Sequence, residues 1–144
     1  MSKHCPVLLA EDDENDVLLL RRAFKKAAVP NPLVVVNDGE GAIKYLSGAG
    51  PYADRDRYPL PSLLITDLKM PKASGFDVLA WLRNNGAPSE VRTIVLTSSL
   101  DETDKQRAFD LGARAYLVKP VNHEELLEVA LQIKDTWLAA AELA

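Results

Sequence analysis

A single cysteine, Cys5, stands in this chain of 144 residues. One thiol makes no intramolecular disulfide and falls short of a thiolate zinc site, so neither holds the fold together. No apolar run approaches the ~18–20 residues that a bilayer-spanning helix needs. The opening Met1-Ser2-Lys3-His4-Cys5-Pro6 carries one lysine and leads into a short apolar run that stops at Glu11. That is too short and too soon acidic for a signal peptide, so the expected location is the cytoplasm. Positive charge is not in excess either: 17 Lys and Arg face 21 Asp and Glu, for a formal net charge of −4. A nucleic-acid module needs a basic face to displace counterions from phosphates, and that class is set aside. The short basic cluster Arg21-Arg22 with Lys25-Lys26 has helical spacing and reads as a solvated helix face.

What the chain does have is alternation. Val7-Leu8-Leu9-Ala10 is a short apolar run ending in acids, the pattern of a buried strand. Apolar residues then recur near every 3.6 positions from Asn15 to Ala28, predicting a helix that Pro30 and Pro32 end. Leu33 to Val36 predicts a second strand. Asp38-Gly39-Glu40-Gly41 opens a short helix carrying Ala42, Ile43, Tyr45 and Leu46. A polar connection from Ser47 to Pro61 follows, rich in Gly, Pro, Asp and Arg. Ser62 to Asp67 predicts the third strand, and a helix after Gly75 stops at Asn84-Asn85-Gly86. Thr93 to Thr97 predicts the fourth strand. Asp101 can N-cap the helix that runs through Leu111, with Gly112 suited to the position after it. Arg114 to Val118 predicts the fifth strand, and a last helix runs from about Asn122 to about 142.

Strand and helix thus alternate five times, which implies a parallel sheet covered on both faces. The expected fold class is α/β, a flavodoxin-like doubly wound (βα)5 sandwich with strand order 2-1-3-4-5. A single domain spans 1–144, with its core at about 6–133; the Ser47–Pro61 connection is no boundary, since neither half closes a core alone. In such sheets ligands bind beyond the carboxyl ends of the strands. There the sequence puts Glu11 and Asp12 (strand one), Asp67 (strand three), Thr97 (strand four) and Lys119 (strand five). Carboxylates so close repel one another unless a cation sits among them. All-oxygen ligands suit Mg2+, with Mn2+ as the substitute. A carboxylate beside such an ion can act as nucleophile towards a phosphoryl group. A lysine ammonium would then pair with phosphoryl oxygens, and a threonine hydroxyl would donate a further hydrogen bond.

At this point the sequence resembles the receiver domains of two-component response regulators. The matching residues are the Glu11-Asp12 pair, Asp67-Leu68-Lys69-Met70-Pro71 with Gly75, Thr97-Ser98, and Lys119-Pro120. They keep the family's order over about Pro6 to Ile133. The resemblance implies that Asp67 takes a phosphoryl group from a phosphohistidine of a sensor histidine kinase. It implies that Asp12 and Asp67 hold the metal, with Glu11 acting through water and Lys69 through its backbone carbonyl. Lys119 would grip the phosphoryl group and form a cis peptide with Pro120. Thr97 would turn inward on phosphorylation and let Tyr116 follow, as the switch that partners read. The long connection before strand three resembles the small regulators paired with bacterial phytochrome-type kinases.

Other features stand beside this reading. Lys69 puts a cationic side chain where the family often has an amide. Asp12-Asp13-Glu14-Asn15-Asp16 has the look of a calcium loop, but the turn glycine and the later bidentate Glu are missing. Asp13 to Asp16 read instead as acids favouring a helix N-terminus. The segment Gly48–Pro59 reads as a longer surface loop, with a partner contact as the alternative. His4 and His123 have no neighbours that suggest catalysis or metal binding. In the last helix Leu126, Ala130, Ile133 and Trp137 form one apolar stripe, and Leu127, Leu131 and Leu138 a second. The second stripe raises a homodimer interface including that helix.

Competing functions have specific obstacles. A phosphohydrolase using an aspartyl phosphate would place a second Asp two residues after the nucleophile, where this chain has Lys69. A flavin carrier on the same fold would want a hydroxyl- and glycine-rich loop after strand one, where this chain has Glu11-Asp12-Asp13. A phosphorylation-independent binding adaptor leaves the acid, Thr and Lys set without a task.

Overall fold

The computed structural model describes residues 5–85 and 91–138. Five strands, β1 (Val7–Ala10), β2 (Leu33–Val36), β3 (Leu63–Thr66), β4 (Arg92–Thr97) and β5 (Ala115–Val118), form one parallel sheet in the order β2-β1-β3-β4-β5. The five main helices are α1 (Glu14–Lys26), α2 (Gly39–Ser47), α3 (Gly75–Asn84), α4 (Glu102–Asp110) and α5 (His123–Gln132). This is the flavodoxin-like order expected from the alternation. Each helix starts on a side chain able to accept from its free N–H groups: Asp13, Asp38, Ser74, Asp101 and Asn122.

The central strands are apolar throughout because both faces are covered. The period of two sorts their side chains. Val7, Leu9, Ile65, Ile94 and Leu96 face Leu20, Phe24, Ala130 and Ile133 of the α1 and α5 layer. Leu8, Ala10 and Leu64 face Ala42, Tyr45 and Val78 of the α2 and α3 layer. Val95 packs with Leu68, Leu79 and Ala108 in a third group beneath α3 and α4.

The C-terminal segment departs from the expected helix. After α5 the chain winds as a wider π-helical turn, Ile133–Leu138. A π turn carries more residues than an α turn, so the face advances by about one position. Leu138, expected on the second, outward stripe, is instead buried beside Ile133 in the α1 and α5 layer. Leu127 is partly buried there too, which leaves Leu131 as the exposed member of that stripe. The Lys134 ammonium donates to the Ala27 carbonyl at 3.0 Å, where α1 has run out of internal partners. The expected continuation to about 142 lies outside the described residues, as do Gly86 and His4.

The long connection is folded back on α2 rather than loose. Tyr45 is fully buried, and its hydroxyl donates to the Pro59 carbonyl at 2.8 Å. Tyr52 and Tyr58 pack on it with ring centroids 4.9 and 6.2 Å away. The Arg55 guanidinium donates to the carbonyls of Tyr45 (2.8 Å), Leu46 (2.8 Å) and Tyr58 (3.1 Å). It thus serves the orphan carbonyls at the end of α2. Gly48 ends that helix with φ +72, and a β-carbon there would press on this guanidinium, so glycine suits both the backbone and the space. Replacing Arg55 by Ala strips charge-assisted bonds from these carbonyls. Urea unfolding of Arg55→Ala is expected to show a loss of about 1–3 kcal/mol.

Candidate functional site

Sheet register decides which residues meet. Ala10 is level with Thr66, so Glu11 and Asp67 leave the sheet side by side. Thr97 is level with Val118, so Lys119 begins just beyond Thr97, and its backbone N–H donates to the Thr97 carbonyl at 2.7 Å. The alternation of faces, carried one residue past the strand ends, directs Glu11, Asp67 and Lys119 to the α1 side. It directs Thr97 and Tyr116 to the α3 and α4 side.

Asp67 is buried at 8% exposure. Its Oδ1 accepts from the Leu68 N–H at 2.7 Å, and its Oδ2 pairs with Lys119 Nζ at 2.8 Å. The chain after it turns tightly into α3: the Gly75 N–H donates to the Leu68 carbonyl at 2.9 Å. A β-carbon at Gly75 would sit well inside contact distance of the Asp67 carbonyl oxygen. Glycine here is a condition for the Asp67 backbone and the helix start to approach each other.

Glu11 is buried at 4% exposure. Its Oε2 accepts from the Asp13 N–H at 3.1 Å, and its Oε1 pairs with Lys119 Nζ at 2.6 Å. Asp12 is exposed, yet carboxylate oxygens of Glu11, Asp12 and Asp67 lie within 4.8 Å of one another. Hard oxygen donors clustered at this spacing fit a hard divalent cation. Lys69 lies two residues past Asp67 with an exposed side chain.

Lys119 makes a third ion pair that the sequence reading missed, with Asp16 Oδ2 at 2.8 Å. Asp13 does cap α1, but Asp16 turns to the site. The available signal was position: Asp16 stands in the first turn of the helix that follows the Glu11-Asp12 pair. The peptide bond between Lys119 and Pro120 is trans, since no cis bond occurs among the described residues. This corrects the expected cis bond. Trans is the preferred form for X–Pro by ~0.5–1 kcal/mol, and from it the ammonium already reaches three carboxylates.

Thr97 is buried, and its Oγ1 accepts from the Ser99 N–H at 3.3 Å. Tyr116 is half-buried, packs against the Leu68 and Ala108 group, and donates from its hydroxyl to the Ser99 carbonyl at 3.1 Å. Ser99 Oγ donates to Asp104 Oδ2 at 2.8 Å, fixing the loop to α4. Ser99 therefore touches both Thr97 and Tyr116. Two of these bonds use its backbone, so its residue type gave no warning.

Burial pulls the Lys119 pKa down, but hydrogen bonds to Asp16, Asp67 and Glu11 outweigh it and hold the ammonium well above the ordinary lysine range. While those carboxylates are ionised, its contribution to stability is present below the ordinary lysine pKa and is lost as pH rises through the folded one. Burial raises the Glu11 pKa, against the lowering effects of Lys119 and the Asp13 N–H, while Asp67 raises it further.

The response regulator receiver domain family profile matches residues 7–131. Response regulator Rcp1 of Synechocystis is 31% identical over 95% of this chain and 91% of its own. The Mn2+-bound form of Rcp1 superposes with a TM-score of 0.82 at 30% identity, covering 93% of this chain and 94% of that one. The phosphorylated cyanobacterial phytochrome response regulator RcpA reaches 0.87 at 31% identity over 96% of both chains. Response regulator RPA3017, from red light signalling of R. palustris, also reaches 0.87, at 33% identity over 93% and 94%. Among the described residues no helix is long and apolar enough to cross a membrane.

Two outcomes follow from this geometry. Gly75→Ala must push apart the Asp67 carbonyl and the start of α3, and chemical denaturation is expected to show a loss of about 1–3 kcal/mol. For Glu11, a raised folded pKa means that the folded state binds the proton more tightly than the unfolded chain. Stability then falls as pH rises from the ordinary glutamate value through the folded one. In chelator-treated buffer, the stability of Glu11→Gln relative to wild type is expected to rise between pH 4 and pH 7. A pH-independent difference would mean that Glu11 ionises as an ordinary glutamate.

Proposed function

Because the chain belongs to the response regulator receiver domain family, we propose that it is a phosphorylation switch whose acceptor is Asp67. The observation that carries this is the pairing of Asp67 Oδ2 with the Lys119 ammonium at 2.8 Å beside the Glu11, Asp12 and Asp67 carboxylate cluster. A carboxylate oxygen of Asp67 attacks the phosphorus of a phosphohistidine on a sensor histidine kinase. The new O–P bond forms as the N–P bond breaks, and the imidazole leaves with the electron pair and takes up a proton. Lys119 moves its charge onto the phosphoryl oxygens. Asp12, Asp67, Glu11 through water and the Lys69 carbonyl would hold Mg2+ or Mn2+, which when bound neutralises charge on the transferring group. The oxygen-only donor set supports that assignment, as does the Mn2+-bound form of Rcp1.

The output of the switch runs through Thr97 and Tyr116. Thr97 turns its hydroxyl to the phosphoryl group and gives up the Ser99 N–H. The loop after β4 is then free to move, and Tyr116 shifts to a more buried position. The likeness to Rcp1, RcpA and RPA3017 supports a phytochrome-type histidine kinase as donor. On this reading the protein turns over no external substrate and acts through its contacts.

Intact-mass spectrometry after incubation with acetyl phosphate and Mg2+ tests the proposal. One labile phosphoryl adduct is expected on wild-type protein, and none on Asp67→Asn or in the presence of a chelator. An adduct that persists in Asp67→Asn, or none on wild type from either acetyl phosphate or a cognate kinase, overturns it.

A further inference from the structure

Lys119 carries three N–H donors, and the structure commits them to three carboxylates on three different segments: Glu11 at 2.6 Å, Asp16 at 2.8 Å and Asp67 at 2.8 Å. Two of these partners, Glu11 and Asp67, also belong to the cluster that suits a divalent cation; Asp16 does not. A cation and the ammonium therefore compete for the same two carboxylates. The Lys119 side chain is only 16% exposed, so an ammonium displaced from both would be a poorly solvated charge without a partner. Asp16 removes that penalty. It sits on the first turn of α1 at 37% side-chain exposure, on the outer edge of the site.

We propose that Asp16 is a positioning residue for Lys119, which keeps the ammonium paired at the edge of the site while Glu11 and Asp67 turn to a divalent cation. The inference rests on the metal-dependent phosphoacceptor reading of the same site. Its physical content is an exchange of partners. Without Asp16, the ammonium has only Glu11 and Asp67 to bind, it settles on both, and the incoming cation must displace it. With Asp16, one strong charge-assisted bond survives the exchange. The tether also restricts a flexible side chain with four rotatable bonds. The ammonium thus stays within reach of whatever group Asp67 comes to carry.

The test is Mg2+ binding to the full chain, followed by calorimetry without any phosphoryl donor. The variants are Asp16→Asn, Asp16→Glu, Lys119→Met and the Asp16→Asn/Lys119→Met pair. Losing a nearby negative charge weakens cation binding by plain Coulomb attraction as well, so the background matters. If Asp16 acts through Lys119, Asp16→Asn weakens Mg2+ binding by about tenfold, ~1.4 kcal/mol. In the Lys119→Met background the same change costs less than about twofold, since no ammonium is left to compete. Asp16→Glu, which keeps the carboxylate, restores most of the affinity. Equal losses in both backgrounds, or no loss in either, overturn the role of Asp16 and leave the phosphoacceptor reading untouched. A wild-type chain that binds no Mg2+ overturns both. Urea midpoints recorded for every variant separate loss of the tether from loss of the fold: a midpoint shift that tracks the affinity loss makes Asp16 a merely structural residue and overturns the proposal.

Discussion

One ammonium among four acids organises the functional end of this molecule. Lys119 is bonded to Glu11, Asp16 and Asp67, with Asp12 at the rim. Burial favours the neutral amine, yet the surrounding carboxylates hold the charge in place. The arrangement still leaves more negative than positive charge at the strand ends. That surplus, with three carboxylates clustered, is compatible with a divalent cation. Two of the carboxylates that hold the ammonium, Glu11 and Asp67, also belong to that cluster.

The sheet makes this crowding unavoidable. Parallel strands all deliver their carboxyl ends to the same edge, and the register sets Glu11 beside Asp67 and Lys119 beyond Thr97. The period-two alternation then separates two tasks. Residues continuing the α1 face carry the charge chemistry. Thr97 and Tyr116, on the α3 and α4 face, meet at Ser99 in the loop after β4. The loop after β4 thus ties Thr97 and Tyr116 to α4 through Ser99. Gly75 allows the closeness on which both depend, because α3 starts against the backbone of Asp67.

The connection between α2 and β3 shows how a long polar segment becomes part of a fold. Its composition suggests a longer surface loop, and within it Tyr52 and Tyr58 make a small aromatic core with Tyr45 while Arg55 closes the end of α2. Three aromatics spread over fourteen positions carry no periodic signal, so a pattern read along the chain passes over them. The π-helical turn at Ile133–Leu138 has the same lesson. An apolar pattern projected at 3.6 residues per turn puts Leu138 outside, and only the wider turn brings it into the core.

The sequence by itself determined the class of the fold, the strand order and which residues stand together at the strand ends. Short apolar runs ending in Glu11, Asp67, Thr97 and Lys119 have few ways to wind, and parallel geometry sends those ends to one place. Helix starts were equally legible, because Asp38, Asp101 and Asn122 act on N–H groups only two or three residues away. Tertiary structure alone decided the ion pair of Asp16 with Lys119, which joins positions 103 residues apart. It also decided the trans bond at Pro120, the link through Ser99 and the inward turn of Leu138. The difference is one of range. Capping and periodicity are local and are written in neighbouring residues, whereas the partner of a charged side chain is whichever group the packing brings within 3 Å.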